Sequence, residues 1–480
     1  MARRPAGLRP AAGRLAPRSP ALRLRRTAGR ASGRNAPLVR RAGARAAPPA
    51  DPLRPLGGAR ADGPPRRGGT RHRLRLGRRA DRDATGGSAH RTAGERRVIG
   101  ALPVDGDFDR ARFPRLAAEL EQGIAAGLQH GGQVFVSLAG ETRLDAGFGQ
   151  ARPGEPMGRE RAMYWLSATK PFAAVAIAQL WERGALHLDD PVARHLPEFA
   201  SGGKQAITIR HLLTHTAGIR MLDLGWPELG WGGVLARIAA RRIEPGWVPG
   251  RKAGYHLASS WFVLGELVRR LDGRPFDRYV RAEILEPLGA GSCWIGVPED
   301  RLEQVRARIA PAFQVTPQGM AALVSWDDDA RLTVCSPGAC GLGPMRELAL
   351  LYEMLAAGGV TATGRRLLGE PTAEALAARH RVGLHDHTFR TRLDWGLGVI
   401  VNSAHYGDPQ VPYGYGPHAG PRTFGHSGAR STTAFADPDA RLVVALGVNG
   451  LPEDAAHRER FERLLAALFE DLDLAPPPAG

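Results

Sequence analysis

Lysine is nearly missing from this chain: of 66 lysines and arginines in 480 residues, only Lys170, Lys204 and Lys252 are lysine. Cysteine is as scarce, at three, an odd count without metal-ligand spacing, which excludes a disulfide framework and a cysteine-based zinc site. Cys293, Cys335 and Cys340 read as buried or semi-buried thiols, with a Cys335 to Cys340 disulfide as the alternative. No aromatic residue precedes Phe108, and the first 98 residues hold 26 arginines against 5 acidic residues, a net of +21. Since the whole chain carries +18, residues 99–480 carry −3, and the basic pI belongs to the leading segment alone.

That segment, rich in Arg, Ala, Gly and Pro, lacks the apolar surface needed to balance the entropy of ordering, so residues 1–98 are expected to be a disordered basic extension. It reads as an inert extension or an over-long reading of the start site; the other reading is an arm for nucleic acid or an anionic surface. No early apolar run reaches the roughly 7 to 15 residues of a signal-peptide core, although "MARRP" faintly echoes a twin-arginine signal. No stretch offers the roughly 20 apolar residues of a membrane-spanning helix either. A cytoplasmic location is expected, with export open if the true start lies downstream.

What is present from residue 99 onward has the pattern of one α+β domain over 99–480. Phe113, Leu116, Leu120 and Ile124 give residues 108–128 one apolar helical face. "QVFVSLAGETRLDAGFGQA" alternates about Gly140-Glu141 as a β-hairpin does. Helical patterns follow at 172–183, 209–213, 233–241, 259–271, 276–284 and 345–357, and strand patterns return in "LDWGLGVIVN", "RTFGHSGA", "STTAFADPD" and "RLVVALGVN". A last amphipathic helix is expected over 453–472. Strands at both ends with helices between predict a mainly antiparallel sheet, flanked by N- and C-terminal helices, that carries an inserted helical region.

The stretch "MYWLSATKPFAAVAIAQLWERG" breaks its own apolar character with Ser167 and Lys170. Pro171 is tolerated only in a first helical turn, so the helix starts near Ser167 and puts both side chains on one face. A serine hydroxyl needs a base to become a nucleophile, and a desolvated lysine can be that base where arginine cannot. In a chain that otherwise uses arginine, a lysine here is a chemical choice. The alternative is an N-cap serine beside a snorkelling lysine. The pattern recurs at Ser201 and Lys204, but two glycines in a loop would not hold that pair on one face, and Lys204 is expected at the surface.

"LSATKPF" resembles the active-site motif of the serine β-lactamase and penicillin-binding-protein superfamily, and more narrowly of its class C β-lactamase-related branch, which includes peptidases, esterases and acyltransferases. "LDDPVARHLPEF", "ITIRHLLTHTAGI", "EPGW", "WFVLGELVRRLDG", "EPLG" and "FGHSG" are similar to further segments of that family, in order, across most of residues 130–450. The resemblance implies Ser167 as nucleophile, Lys170 as base and Tyr255 as proton shuttle, a role open to a phenol beside a cation. It also implies a pocket strand at His426, Ser427 and Gly428, with His426 as a donor across the pocket and the N–H groups of Ser167 and Ala429 as the oxyanion hole. The family's Tyr-x-Asn departs here, because Leu257 stands at the asparagine position and only His256 or Ser259 is near enough in sequence to replace it. His215, in "LLTHTAG", falls in a family loop motif and is expected to be structural. No Gly-x-Ser-x-Gly elbow occurs, which argues against an α/β-hydrolase.

These residues predict a serine hydrolase working through an acyl-enzyme, without cofactor or metal, on a small-molecule ester or amide. A carboxylesterase or transacylase is favoured over a β-lactamase or D-alanyl-D-alanine carboxypeptidase, because Leu257 cannot bind an amide oxygen. The alternative of another class is a non-catalytic binding or sensor protein docking nucleic acid or membrane through its basic tail.

Overall fold

The computed structural model describes residues 103–408 and 414–475, so the expectation of a disordered extension over 1–98 lies outside the described residues. Its centre is an antiparallel sheet. In spatial order the strands are Val104–Asp107, Glu141–Arg152, Gly131–Leu138, Leu442–Val448, Thr432–Asp437, Phe424–Gly428, Ile400–Val401 and Asp394–Trp395, with Glu155–Pro156 paired to the second of them. The hairpin pairs Leu138 with Glu141, and its turn residues Ala139 and Gly140 both have positive φ, at 57° and 82°, the backbone a two-residue hairpin turn requires.

Strand alternation divides the apolar side chains between two layers. Val134, Val136, Val444 and Leu446 face the helices Pro114–Ala125 and Asp454–Asp471, where Leu116, Leu120, Leu464 and Leu468 complete a core. Phe135, Val443 and Ala445 point the other way, into the helical region that includes Lys170–Glu182, Ser259–Asp272 and Met345–Ala356. The helix Lys170–Glu182 is buried from Lys170 to Leu180, which fits a segment apolar on every side. The fold is therefore the predicted α+β arrangement with its helical insertion.

Differences are local. The pattern over 276–284 becomes Phe276–Val280 followed by a π-helical turn at Arg281–Leu285. A hairpin of Phe313–Thr316 and Gly319–Ala322 interrupts the helical region. Met163–Leu166, directly before Ser167, is a strand paired with Gly341–Gly343. Lys204, expected at the surface, is fully buried and donates to the carbonyls of Ser201 at 2.7 Å, Ala239 at 3.0 Å and Arg241. Two carbonyls at the end of the helix Gly230–Ala240 and one from the turn that carries Lys204 satisfy the three N–H donors of an ammonium, which is why burial is tolerated. Ser201 Oγ donates to the Ala239 carbonyl, so this second Ser-x-x-Lys holds a helix end rather than a nucleophile. Among the described residues no helix is long and apolar enough to cross a membrane.

Candidate active site

Ser167 begins a 3₁₀ turn, Ser167–Thr169, that leads into Lys170–Glu182. The turn is sharp because Leu166 sits at φ 50°, ψ −128°, a backbone that a branched side chain adopts only when its surroundings impose it. Those surroundings are specific. The Leu166 carbonyl accepts from Thr169 Oγ1 at 2.6 Å, the same hydroxyl accepts from Gly341 N at 2.8 Å, and the neighbouring Trp165 carbonyl accepts from Thr432 Oγ1 at 3.1 Å. Ser167 is left half-buried at the lip of this turn.

Lys170 Nζ lies 2.9 Å from Ser167 Oγ and donates to the Gly338 carbonyl at 2.8 Å. Its side chain is fully buried, between the Tyr255 and Trp261 rings, and burial alone pushes its pKa well below the ordinary lysine value. The Tyr255 hydroxyl donates to Ser167 Oγ at 2.8 Å. One serine oxygen thus meets an amine and a phenol, from residues 3 and 88 positions away.

Tyr255 is fixed from behind. Asp386 Oδ1 accepts from the backbone N–H groups of Tyr255, Thr388 and Phe389 at 3.1, 2.9 and 3.0 Å, while its Oδ2 pairs with buried Arg381 at 2.9 Å. Arg381 also donates to the Thr214 and Leu393 carbonyls. The His215 ring packs against Tyr255 and Trp395, and its Nδ1 accepts from His256 N at 2.9 Å. Burial, then the neighbouring His256, keeps His215 neutral by lowering its pKa well below 6.5.

The strand Phe424–Gly428 closes the other side. A Cβ on Gly428 would stand 2.3 Å from the Trp165 carbonyl and 2.1 Å from Thr432 Oγ1, so only glycine lets this strand approach the one carrying Ser167.

Sequence comparison matches residues 113–469 to the family pattern described as Beta-lactamase. The chain belongs to the Beta-lactamase family. Among curated relatives it is 30% identical over 368 residues to Esterase EstB of Burkholderia gladioli, covering 70% of this chain and 90% of EstB. It is 27% identical over 349 residues to Esterase/beta-lactamase LipL of Mycobacterium tuberculosis, covering 67% and 77%. Among solved structures, a family VIII carboxylesterase superposes with TM-score 0.64 at 26% identity, over 77% of this chain and all of that one. A penicillin-binding-protein homologue from Caulobacter crescentus gives 0.62 at 29%, with the same coverage of each. The protein is a serine hydrolase of this family.

Within this Beta-lactamase-family fold the residues singled out by sequence fall into two groups. Ser167, Lys170 and Tyr255 converge on one oxygen. His426 is fully buried with its ring 6.1 Å from that of Tyr255, and burial, then Lys170, lowers its pKa to about 3. Its Nδ1 faces the Ser427 carbonyl at 2.9 Å, which can only accept, so that contact calls for the hydrogen on Nδ1. Ser427 faces the opposite side of the strand, where its hydroxyl donates to Thr433 Oγ1 at 3.0 Å. Ala429 follows the strand and packs with Leu166 and Trp326.

Neither candidate for the absent asparagine reaches the lysine. His256 Nε2 accepts from Ile219 N at 3.1 Å and Ser259 Oγ donates to the Ile219 carbonyl, so both fix residue 219, while Leu257 joins the apolar cluster that contains Tyr255. The second partner of Lys170 is instead the Gly338 carbonyl. A backbone oxygen leaves no trace in residue type, and Asp386 in "GLHDHTF" had no motif around it, so sequence reasoning missed both.

Proposed function

We propose that the protein is a carboxylesterase or transacylase that forms an acyl-enzyme at Ser167. The observation that carries this reading is Ser167 Oγ held at 2.9 Å from the amine of a fully buried lysine and 2.8 Å from a tyrosine hydroxyl. Burial favours the neutral amine, which accepts the Ser167 proton as Oγ attacks the acyl carbonyl. The Ser167 and Ala429 N–H groups face the oxyanion, Tyr255 returns the proton to the leaving group, and water or an acceptor alcohol then repeats the sequence on the acyl-enzyme.

The preference for esters comes from Leu257, half-buried in an apolar cluster where the family's asparagine would bind an amide oxygen. An alkoxide also leaves with less help than an amine. EstB, an esterase by name, and the family VIII carboxylesterase support the same subclass. A fluorophosphonate probe should label the wild-type protein and not Ser167→Ala; labelling that survives the substitution removes Ser167 as nucleophile. Turnover of p-nitrophenyl butyrate should far exceed that of nitrocefin. Fast nitrocefin hydrolysis would move the protein to the β-lactamase side, and absence of labelling and turnover together would leave the non-catalytic binding reading.

A further inference from the structure

Two of the three cysteines sit on the loop that supports Lys170. Cys335 and Cys340 are free cysteines, half-buried as residues, that flank Gly338, whose carbonyl holds the lysine at 2.8 Å. The loop folds back on itself: Ala339 N and Cys340 N both donate to the Ser336 carbonyl, at 3.1 and 3.2 Å. This return brings the Cys340 sulfur to the peptide that joins Cys335 to Ser336, where it accepts from Ser336 N at 3.0 Å. Cys340 in turn bridges to Leu166, the residue before the nucleophile, and the next residue, Gly341, donates to Thr169 Oγ1 at 2.8 Å. Cys293 differs, being fully buried beside Glu347.

We infer that Cys335 and Cys340 form a peroxide-sensitive dithiol whose oxidation to a disulfide switches the active site off by moving the Gly338 carbonyl away from Lys170. Three features of the loop support it. The Cys340 sulfur already lies 3.0 Å from the backbone nitrogen next to Cys335, so closing to a bond of about 2.0 Å needs a local rearrangement of one short loop rather than an encounter of distant elements. Burial opposes ionisation of Cys340, yet donation by the Cys335 thiol and by the backbone N–H groups of Ser336, Gly296 and Cys340 itself overrides it and holds this thiol below its ordinary range. Cys335, pushed up by burial, remains protonated and suits the resolving role. The loop has no slack, since Pro337 and Gly338 are buried and a Cβ on Gly338 would lie 2.8 Å from the Trp261 ring.

In the chemistry, the Cys340 thiolate attacks one peroxide oxygen, the O–O bond breaks, and Cys340 becomes a sulfenic acid as hydroxide leaves. The Cys335 sulfur then displaces the sulfenic hydroxyl, and its proton departs with that hydroxyl as water. Two thiols and one hydrogen peroxide give one disulfide and two waters. The loss of activity rests on the function proposed for Ser167; formation of the disulfide does not.

The test treats the full-length protein with hydrogen peroxide, blocks remaining thiols and digests with trypsin. Cleavage after Arg331 and Arg346 leaves both cysteines in one peptide, residues 332–346, separate from Cys293. That peptide should become lighter by two hydrogen atoms and refuse the blocking reagent. Ester turnover and fluorophosphonate labelling of Ser167 should fall together by about tenfold or more and return with dithiothreitol. Cys335→Ser and Cys340→Ser should keep basal activity, form no disulfide and lose the reversible inhibition. A peptide that stays fully blocked after peroxide overturns the dithiol. A disulfide that forms with labelling and turnover unchanged overturns the switch. Reversible inhibition that persists in both variants assigns the effect elsewhere. If the protein proves inactive on esters, peptide mass and probe labelling still decide both halves.

Discussion

A charged Lys170 would carry three N–H donors, and the structure places two acceptors within reach, Ser167 Oγ and the Gly338 carbonyl, in a setting closed by the Tyr255 and Trp261 rings. That setting desolvates the ammonium without offering a carboxylate, which is how its pKa falls well below 10.5. Arginine would keep the charge and could not take a proton. Lys170→Met, close in volume and apolar, should leave the melting temperature near or above that of the wild type while lowering kcat on p-nitrophenyl butyrate by about a thousandfold, since general-base catalysis contributes about 10² to 10⁴. In the wild type, kcat/KM should rise with pH through the lowered pKa of Lys170, and a profile flat into acid would exclude the amine as base. The buried imidazoles act on stability instead. His256 and His426 are held at about 3 by burial, so below the ordinary value near 6.5 the unfolded chain binds protons that the native state refuses. Stability should therefore be full above that value and fall as pH drops from about 6.5 toward 3, by up to about 1.4 kcal/mol per pH unit for each histidine. Urea titrations across this range should show the slope, and His256→Gln, which retains an acceptor for Ile219 N and does not titrate, should reduce it.

At the scale of elements, the site depends on two strands that touch where side chains are absent or small. Met163–Leu166 delivers Ser167 through the strained Leu166, and Phe424–Gly428 lies against it because residue 428 has no Cβ. Gly428→Ala would force the Trp165 carbonyl and Thr432 Oγ1 apart, breaking a 3.1 Å hydrogen bond that ties the nucleophile's strand to the main sheet. The expected result is a folded protein whose fluorophosphonate labelling and ester turnover both fall about a hundredfold, the scale of a lost oxyanion donor. Unchanged labelling would mean that this contact does not align Ser167. The elements themselves were legible where periodicity speaks: residues 209–213 and 259–271 became helices Ile209–Leu213 and Ser259–Asp272, within one residue at each end. Met163–Leu166 was not legible, because a four-residue apolar run ahead of an apolar helix has no period of its own. The burial of Lys204 was not legible either, since two of the three carbonyls that hold it come from a helix end more than thirty residues away. Lys170 and Tyr255 could be named beside Ser167 from residue types and order; the carbonyl of Gly338 and the Asp386 support for Tyr255 could not, because each is a product of long-range folding.

The molecule as a whole is divided by charge and by family. The family match covers residues 113–469, a region within the part that carries −3, while residues 1–98 carry +21. The hydrogen bonds and ring contacts given above for Ser167, Lys170 and Tyr255 come from residues 167–426. Removing residues 1–98 should therefore leave kcat/KM for p-nitrophenyl butyrate within about twofold, below the tenfold that 1.4 kcal/mol of lost transition-state stabilisation would produce. Its charge predicts a separate effect. A protein that neutralises several phosphates binds DNA with an affinity that falls steeply with salt, by a slope of about −0.9 per phosphate on logarithmic axes. If the arginines engage nucleic acid, the full chain should be retained by duplex DNA at low salt and released as salt rises, while the truncated chain, at −3, should not be retained at any salt. Full-length protein that ignores DNA would make the segment's charge irrelevant to nucleic acid. A fall in ester turnover on truncation, with DNA binding absent, would instead place part of the substrate's path on the basic segment.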